Sequence, residues 1–291
     1  MCRRIFTLLF CGFLLLSCLQ AGAEETQKGT LIIEYPYGGV EFELFMVAGE
    51  TEEGEFFISE DFASYPVHWE GNGRELAMTL QGYILRDNLQ PLATAASNDL
   101  GYVHFENLDK GYYLILGNHL IEQDLITFPQ PTMVMMPYIQ GEESSYRVRV
   151  KPKYEERKPT IKVELQVLKV WKDNDNPQRP EEVTVDLLCD GEIWDTVVLS
   201  GANNWRYTWG NLPPMHLWTV TERETDGYVV EVSCENACMV ITNHKPIPPE
   251  PAPPPDIPQT GVLWWPVPLL LISGLTLIVW GWLCRRRSVE E

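Results

Sequence analysis

The sequence predicts an all-β protein with two β-sandwich domains in tandem, residues 29–153 and 160–245. Short segments in both regions alternate apolar and polar residues, as Val40-Glu41-Phe42-Glu43-Leu44 does, and this period of two is typical of strands with one buried face. Turn residues separate such segments; Asn107-Leu108-Asp109-Lys110-Gly111 lies between two of them. The chain of 291 residues is long enough for two domains of ordinary size with linkers.

The first domain departs from this pattern in the middle. Residues 50–75 are predicted to form an irregular insertion, and Leu76–Leu85 is predicted to include one helical turn. Charged residues dominate 153–159, which we interpret as a short hinge before the second domain.

The first residues are typical of a secretory signal peptide. Two arginines precede an apolar core from Ile5 to Leu19, and Ala21-Gly22-Ala23 offers small residues for cleavage. Residues 1–23 are therefore predicted to be removed on export. Lipoprotein processing at Cys18 is the alternative.

The C-terminal region predicts a spacer followed by a membrane span. Residues 246–258 alternate proline with Glu, Ala and Asp, which favours an extended polyproline II segment. Residues 262–283 contain no charged side chain, and at 1.5 Å per residue a helix of this length spans roughly 33 Å, the thickness of a bilayer core. Arg285, Arg286 and Arg287 follow and indicate that the preceding chain lies outside the cell.

Charge and cysteine content exclude several classes of function. The formal net charge of −19 disfavours binding to nucleic acid, whose affinity depends on basic residues that neutralise phosphates. Between the signal peptide and the span, the cysteines are Cys189, Cys234 and Cys238. A disulfide between Cys234 and Cys238, across a three-residue hairpin loop, is one interpretation. The histidines show no ligand spacing near the cysteines, so neither a metal site nor a cofactor is predicted.

The second domain places one polar residue in each of three otherwise apolar strand faces. Lys169 shares a face with Val163, Leu165, Val167 and Trp171; Glu222 shares one with Trp218 and Val220; Asn243 shares one with Met239 and Ile241. A lone buried charge is costly, so we expect the three side chains to meet. A desolvated Lys169 amine can then attack the Asn243 carboxamide, while a protonated Glu222 donates a hydrogen bond to the Asn243 carbonyl oxygen and moves protons. This chemistry predicts an isopeptide bond. The alternative is that Lys169 reaches the surface and pairs with Glu222.

The same region resembles the Cna B-type domain. The matching segments are residues 169–174, 179–185, 203–207, 220–222, 227–228 and 241–243. The resemblance implies that Lys169 and Asn243 are joined and that Glu222 catalyses the joining. Both domains are accordingly predicted to be immunoglobulin-like or prealbumin-like sandwiches. No nucleophile–base or metal constellation indicates an enzyme, so this single intramolecular turnover is the only predicted chemistry, and the first domain is predicted to lack such a bond.

The segment before the apolar span resembles the cell-wall sorting signal of Gram-positive bacteria. Ile257, Pro258, Gln259, Thr260 and Gly261 stand where that signal has Leu-Pro-x-Thr-Gly, and an apolar span and a basic tail follow, so that the whole signal covers residues 257–287. The resemblance implies that a sortase cuts after Thr260 and joins it to peptidoglycan or to another pilin subunit. The protein is then secreted and anchored to the cell wall. A permanently membrane-anchored ectodomain is the alternative.

The first domain resembles the N-terminal domain of sortase-assembled pilins at residues 39–45, 101–116 and 146–153. In that family a Tyr-Pro-Lys pattern ends the domain, and its lysine receives the threonine of the next subunit. Lys153 matches that lysine, whereas Lys151 stands where the tyrosine is usual. The predicted function is therefore a pilin-like subunit or stalk.

The alternative is a monomeric adhesin whose first domain binds a host protein or glycan. The insertion carries Phe56, Phe57, Tyr65 and Trp69, which could supply a binding surface. The same side chains could equally pack on their own sandwich.

Overall fold

The computed structural model describes residues 27–246, apart from 52–53, 123, 142, 224 and 236, and residues 266–287. The predicted signal peptide, the pentapeptide 257–261 and nearly all of the predicted spacer lie outside the described residues. Strand is the predominant regular structure of the described chain, as the sequence predicts. The strands are β1 Gly29–Glu34, β2 Glu41–Glu50, β3 Phe56–Ile58, β4 Ala93–Ala96, β5 Tyr102–Leu108, β6 Gly111–Gly117, β7 Leu120–Glu122, β8 Leu125–Pro129, β9 Thr132–Met136, β10 Tyr138–Gln140, β11 Glu143–Ser145, β12 Arg147–Val150, β13 Tyr154–Arg157, β14 Val163–Lys172, β15 Glu182–Cys189, β16 Glu192–Ser200, β17 Arg206–Leu212, β18 Trp218–Glu222, β19 Val229–Glu235 and β20 Cys238–His244. The helices are α1 Glu60–Ala63, α2 Gly73–Asp87 and α3 Pro266–Arg287.

Two sheets enclose a core in the first half of the chain. One has the order β3-β2-β6-β9, with β4 also paired to β2, and the other has the order β12-β1-β5. Alternate residues of the strands point inward, so that Leu31 and Ile33 of β1 meet Phe42 and Leu44 of β2. This arrangement is a β-sandwich.

A second pair of sheets follows with the orders β17-β14-β20-β19 and β16-β15-β18. Strands β14 and β20 are parallel neighbours, with Lys169 opposite Ile241 and Trp171 opposite Asn243. Val167 and Ile241 from one sheet pack against Val185 from the other. The prediction of a strand-rich fold is therefore confirmed for both halves of this region.

Helix α2 has four turns where the sequence analysis predicts one. The Asn72 side chain caps its first turn by accepting from the Arg74 amide at 2.9 Å, and Asn88 ends it in the left-handed conformation. Ala77, Leu80 and Ile84 pack against the outer face of the β2–β6 sheet.

The opposite side of α2 contacts the second sandwich. The Val232 amide of β19 donates to Thr79 Oγ1 at 2.8 Å. At Gly82 the backbone comes so near β18 that a Cβ atom would lie 2.9 Å from Thr221 Cγ2. Helix α2 thus joins the two sandwiches, and the described chain up to Pro246 is one compact unit.

The segment predicted to be a hinge, residues 153–159, contains a strand. Residues of β13 pair with β8, with Glu155 opposite Phe128. Arg157 also donates to the His216 carbonyl of the second half at 3.2 Å. The two sandwiches are therefore not separated by a free linker.

The disulfide expected between Cys234 and Cys238 is absent from the described residues. In the β19–β20 hairpin, Cys234 is opposite Met239 and Cys238 is opposite Glu235. Because successive residues of a strand point to opposite faces, the two cysteines project from opposite sides of the hairpin. The expectation counted loop residues and could not determine this register.

Helix α3 belongs to a second compact unit. Within the described ranges, no helix combines the length and the apolar character that crossing a membrane requires. The predicted span, residues 262–283, begins outside the described residues and is not confirmed.

Candidate functional site

Three polar side chains meet in the core of the second sandwich. Lys169 lies on β14 and Asn243 on the parallel neighbour β20, while Glu222 points toward them from β18 in the facing sheet. All three residues are buried. The strand pattern predicts this meeting because each residue continues the inward-facing row of its own strand.

Glu222 contacts the other two members of this trio. Its Oε2 atom lies 3.0 Å from Lys169 Nζ, a charge contact without the alignment of a hydrogen bond. Its Oε1 atom accepts from Asn243 Nδ2 at 2.6 Å and from Thr225 Oγ1 at 2.8 Å. One carboxyl group therefore bridges an amine and a carboxamide.

The amide of Asn243 is oriented differently from the expectation. The sequence analysis has Glu222 donating to the carbonyl oxygen, whereas in the structure the amide nitrogen donates to Glu222. Oδ1 is left buried without a hydrogen-bond partner among the described residues. Because an unsatisfied buried acceptor costs free energy, this arrangement is less stable than a polar cluster in which every atom is hydrogen-bonded.

Burial changes the acid–base behaviour of Lys169. Desolvation lowers the pKa of its ammonium group to about 8, and the charge of Glu222 opposes this shift. At neutral pH roughly a tenth of such amines carry no proton, far more than for an ordinary lysine. The neutral amine is the nucleophilic form.

An aromatic and ionic cover lies over the amine. The Trp171 ring is 4.5 Å from Lys169 Nζ, and its edges contact the rings of Trp205 and Tyr228 at centroid distances of 5.5 and 5.1 Å. The guanidinium of Arg179 lies 5.5 Å from the Trp171 ring. This cover keeps water from the amine and so sustains its lowered pKa.

Asp173 holds the cover together. It accepts from Arg179 Nε at 2.9 Å and from the Tyr228 hydroxyl at 2.9 Å, and the bond from Arg179 lowers the pKa of Asp173 to about 2. The sequence analysis gives these residues no role. For Asp173 the sequence did hold a signal, because Trp171 and Asp173 continue the alternation that places Lys169 inward.

The other predicted site residues lie elsewhere. Lys153 is exposed between β12 and β13, where its backbone carbonyl accepts from the Gln130 amide at 2.7 Å. Residues 257–261 are outside the described ranges. The predicted absence of a metal site did not anticipate that His68, Glu231 and His244 come together from three separate segments.

Some aromatic residues of the insertion pack on the protein itself, and others are exposed. Tyr65 stacks on Tyr83 of α2 at 4.6 Å, and Trp69 packs against the same cluster of apolar side chains. Phe56 and Phe57 on β3 are 55% and 48% exposed.

Comparison with known proteins gives a family match in the second sandwich. Residues 165–244 match the Cna protein B-type domain. A collagen adhesin of Staphylococcus aureus is 38% identical over 72 residues, which are 22% of this chain and 6% of that protein. The chain thus spans only a small part of the length of this relative.

Solved structures give more distant matches. A single B repeat unit of the collagen-binding surface protein of Staphylococcus aureus is 17% identical, with a TM-score of 0.29, over 77% of this chain and 100% of that chain. The full-length major pilin SpaD from Corynebacterium diphtheriae is 13% identical, with a TM-score of 0.32, over 77% of this chain and 66% of that chain.

Proposed function

We propose that the second sandwich, in which residues 165–244 match the Cna B-type domain, crosslinks itself by an isopeptide bond between Lys169 and Asn243. We further propose that the chain is a structural stalk or pilin-like subunit at the surface of a Gram-positive cell. The observation that supports the crosslink best is the position of Glu222. It contacts the attacking nitrogen with one oxygen and the leaving nitrogen with the other.

This contact pattern suits a proton shuttle. The neutral amine of Lys169 attacks Asn243 Cγ, so that the Nζ–Cγ bond forms, and Nζ then passes one proton to the carboxylate oxygen Glu222 Oε2. The Cγ–Nδ2 bond breaks as Glu222 Oε1 delivers a proton to Nδ2. The products are one secondary amide and one ammonia, and Glu222 ends in its starting state. No cofactor takes part.

The bond would act on the mechanics of the domain. It would join two parallel neighbouring strands and close a loop of about 75 residues, which by the loop-entropy relation for a crosslink stabilises the fold by about 4.5 kcal/mol. A tensile force applied to the two ends of the domain would be carried by the bond from Lys169 to Asn243. The strands that lie between these residues in the sequence would not bear this force. A reductant could not open it, unlike a disulfide.

The intact mass of the full-length chain under reducing conditions tests the crosslink. The parent should lack the mass of one ammonia, and the Glu222→Ala variant should have its full calculated mass. Glu164→Ala is the matched control, because Glu164 is exposed on β14 and should leave the loss of ammonia unchanged. A folded parent with its full calculated mass would refute the crosslink.

Surface attachment is proposed from the sequence pattern at residues 257–261. A sortase would cleave after Thr260 and join it to peptidoglycan or to the lysine of another subunit. Lys153 is exposed and thus open to such a threonine. Cells that express the parent with its sortase should contain covalent multimers, and Lys153→Arg should abolish them, whereas Lys158→Arg should not.

The exposed pair Phe56 and Phe57 favours a second candidate, an adhesin. Exposed neighbouring aromatic side chains on an edge strand are typical of a contact surface. Monomers alone, together with saturable binding to a host glycan or protein that Phe56→Ser removes, would favour the adhesin over the pilin-like subunit.

A further inference from the structure

Three potential metal ligands converge where the insertion meets the second sandwich. His68 lies between α1 and α2, Glu231 is on β19 and His244 ends β20. Each belongs to a different segment, and none takes part in the crosslink.

The backbone holds these segments in register. Val67 forms a parallel bridge with Val230, the Val230 amide donates to the Pro66 carbonyl at 2.6 Å, and the His68 amide donates to the Val230 carbonyl at 3.0 Å. On the other side, His244 is opposite Val229 in the β19–β20 ladder. It therefore shares a face with Glu231, two residues farther along.

The ligand atoms are spaced for one ion. Glu231 Oε2 lies 3.0 Å from His68 Nδ1 and 3.6 Å from His244 Nε2, and all three atoms are within 4.8 Å of one another. A tetrahedral zinc ion with bonds of 2.0–2.1 Å separates its ligand atoms by roughly 3.3 Å. The observed distances are close to this spacing. The two imidazole rings stack in parallel, with centroids 3.9 Å apart and an interplanar angle of 10°, so one ring must rotate about its side-chain torsions before both nitrogens direct their lone pairs at one ion.

Two further observations indicate a ligand. His244 Nε2 is buried and has no hydrogen-bond partner among the described residues. Gly71 leaves space beside the ligand atoms, since a Cβ atom there would lie 2.9 Å from Glu231 Oε2 and 3.1 Å from His68 Nδ1. An alanine at this position would fill the space that an ion needs.

We propose that His68 Nδ1, Glu231 Oε2 and His244 Nε2 bind one divalent transition-metal ion, of which Zn²⁺ is the first choice. Two imidazoles and one carboxylate are a common zinc set, with water as the fourth ligand. The ion would tie the insertion to the last strand of the second sandwich, next to Asn243. The site does not depend on the crosslink.

Titration of the metal-free full-length chain with Zn²⁺, followed by calorimetry, tests the site. One ion should bind per chain, and His68→Ala and Gly71→Ala should each weaken binding by about tenfold or more. Gly73→Ala is the matched control, because its nearest neighbour would be 4.0 Å from the added Cβ. His216→Ala tests the other histidine cluster, with Cys189 and Asp190, and should leave binding unchanged.

A spectroscopic variant separates ligation from an effect on folding. With Co²⁺ in place of Zn²⁺, His68→Cys should retain the ion and add a thiolate-to-cobalt charge-transfer band that the parent lacks. Unaltered Zn²⁺ affinity in His68→Ala, loss of binding in His216→Ala, or a His68→Cys spectrum without the new band would each overturn the proposal.

Discussion

Replacing the reactive pair by neutral side chains should measure what the crosslink contributes to stability. The double variant Lys169→Met/Glu222→Gln removes the amine and the carboxylate together, so that no uncompensated charge stays in the core. Both new side chains are close in volume to the old ones, which limits the cost of repacking. The remaining difference from the parent is mainly the bond itself.

The expected magnitude follows from the length of the closed loop. A crosslink from residue 169 to 243 encloses about 75 residues and contributes about 4.5 kcal/mol to the free energy of unfolding. For a compact unit of this size, 1 kcal/mol corresponds to about 2–4 °C, so the melting temperature should fall by about 9–18 °C.

Urea unfolding and thermal melting of the full-length chain, each beside an intact mass, provide the assay. Lys162→Met/Glu164→Gln makes the same chemical changes at two exposed positions and should unfold as the parent does. A parent that has lost ammonia but unfolds at the same urea concentration as the reactive-pair variant would refute the loop-closure reasoning.

Three further changes test the surroundings of the trio. In an Asn243→Ala background, which keeps Lys169 unreacted, the unfolded chain holds a lysine proton between pH 8 and about 10.5 that the folded chain releases, since burial lowers the pKa of Lys169 to about 8. The free energy of unfolding should therefore rise with pH across that window, and adding Lys169→Met should remove the rise. Urea unfolding at a series of pH values measures both. A free energy of unfolding that rises equally with pH in the two variants would contradict the lowered pKa. Asp173→Asn should loosen the cover over the amine and cost about 1–3 kcal/mol of stability. When unreacted chain that has never folded is transferred from urea to buffer, the variant should release ammonia more slowly than the parent, as timed by mass; equal rates would show that the cover has no part in the reaction. Gly82→Ala should lower the urea midpoint by the equivalent of about 1–3 kcal/mol because its Cβ atom would lie 2.9 Å from a β18 side chain, while Gly73→Ala on the same helix should not; equal midpoints would mean that the helix can move away from the sheet.

The trio could be predicted because strands alternate strictly. Lys169, Glu222 and Asn243 each belong to an inward-facing apolar row, so their side chains all point into the core between the two sheets. The same alternation could have predicted that Trp171 and Asp173 point inward beside Lys169, because they continue its row. The orientation of the Asn243 amide depends on local hydrogen bonds that no sequence pattern encodes.

Other features depend on contacts between distant segments. Helix α2 is covered on two sides, and the side toward the second sandwich carries Thr79 and Gly82. A polar residue and a glycine do not mark a buried helix face in the sequence. The separation of Cys234 from Cys238 follows from the hairpin register. The histidine cluster brings residue 68 to residues 231 and 244 through a backbone bridge, and no local spacing reveals it.

The parallel pairing of β14 with β20 also determines the distance between the points where the chain enters and leaves the second sandwich. The polypeptide enters this sandwich near Val163 and leaves it at His244, which is opposite Lys172. Entry and exit are thus nine residues apart along one strand, or about 30 Å at 3.3 Å per residue. Had these two strands been antiparallel, the chain would have left beside the point where it entered, and the fold would have added almost no reach. A sandwich with parallel first and last strands therefore adds a defined distance between its two ends. A crosslink across these two strands would keep that distance constant under tension.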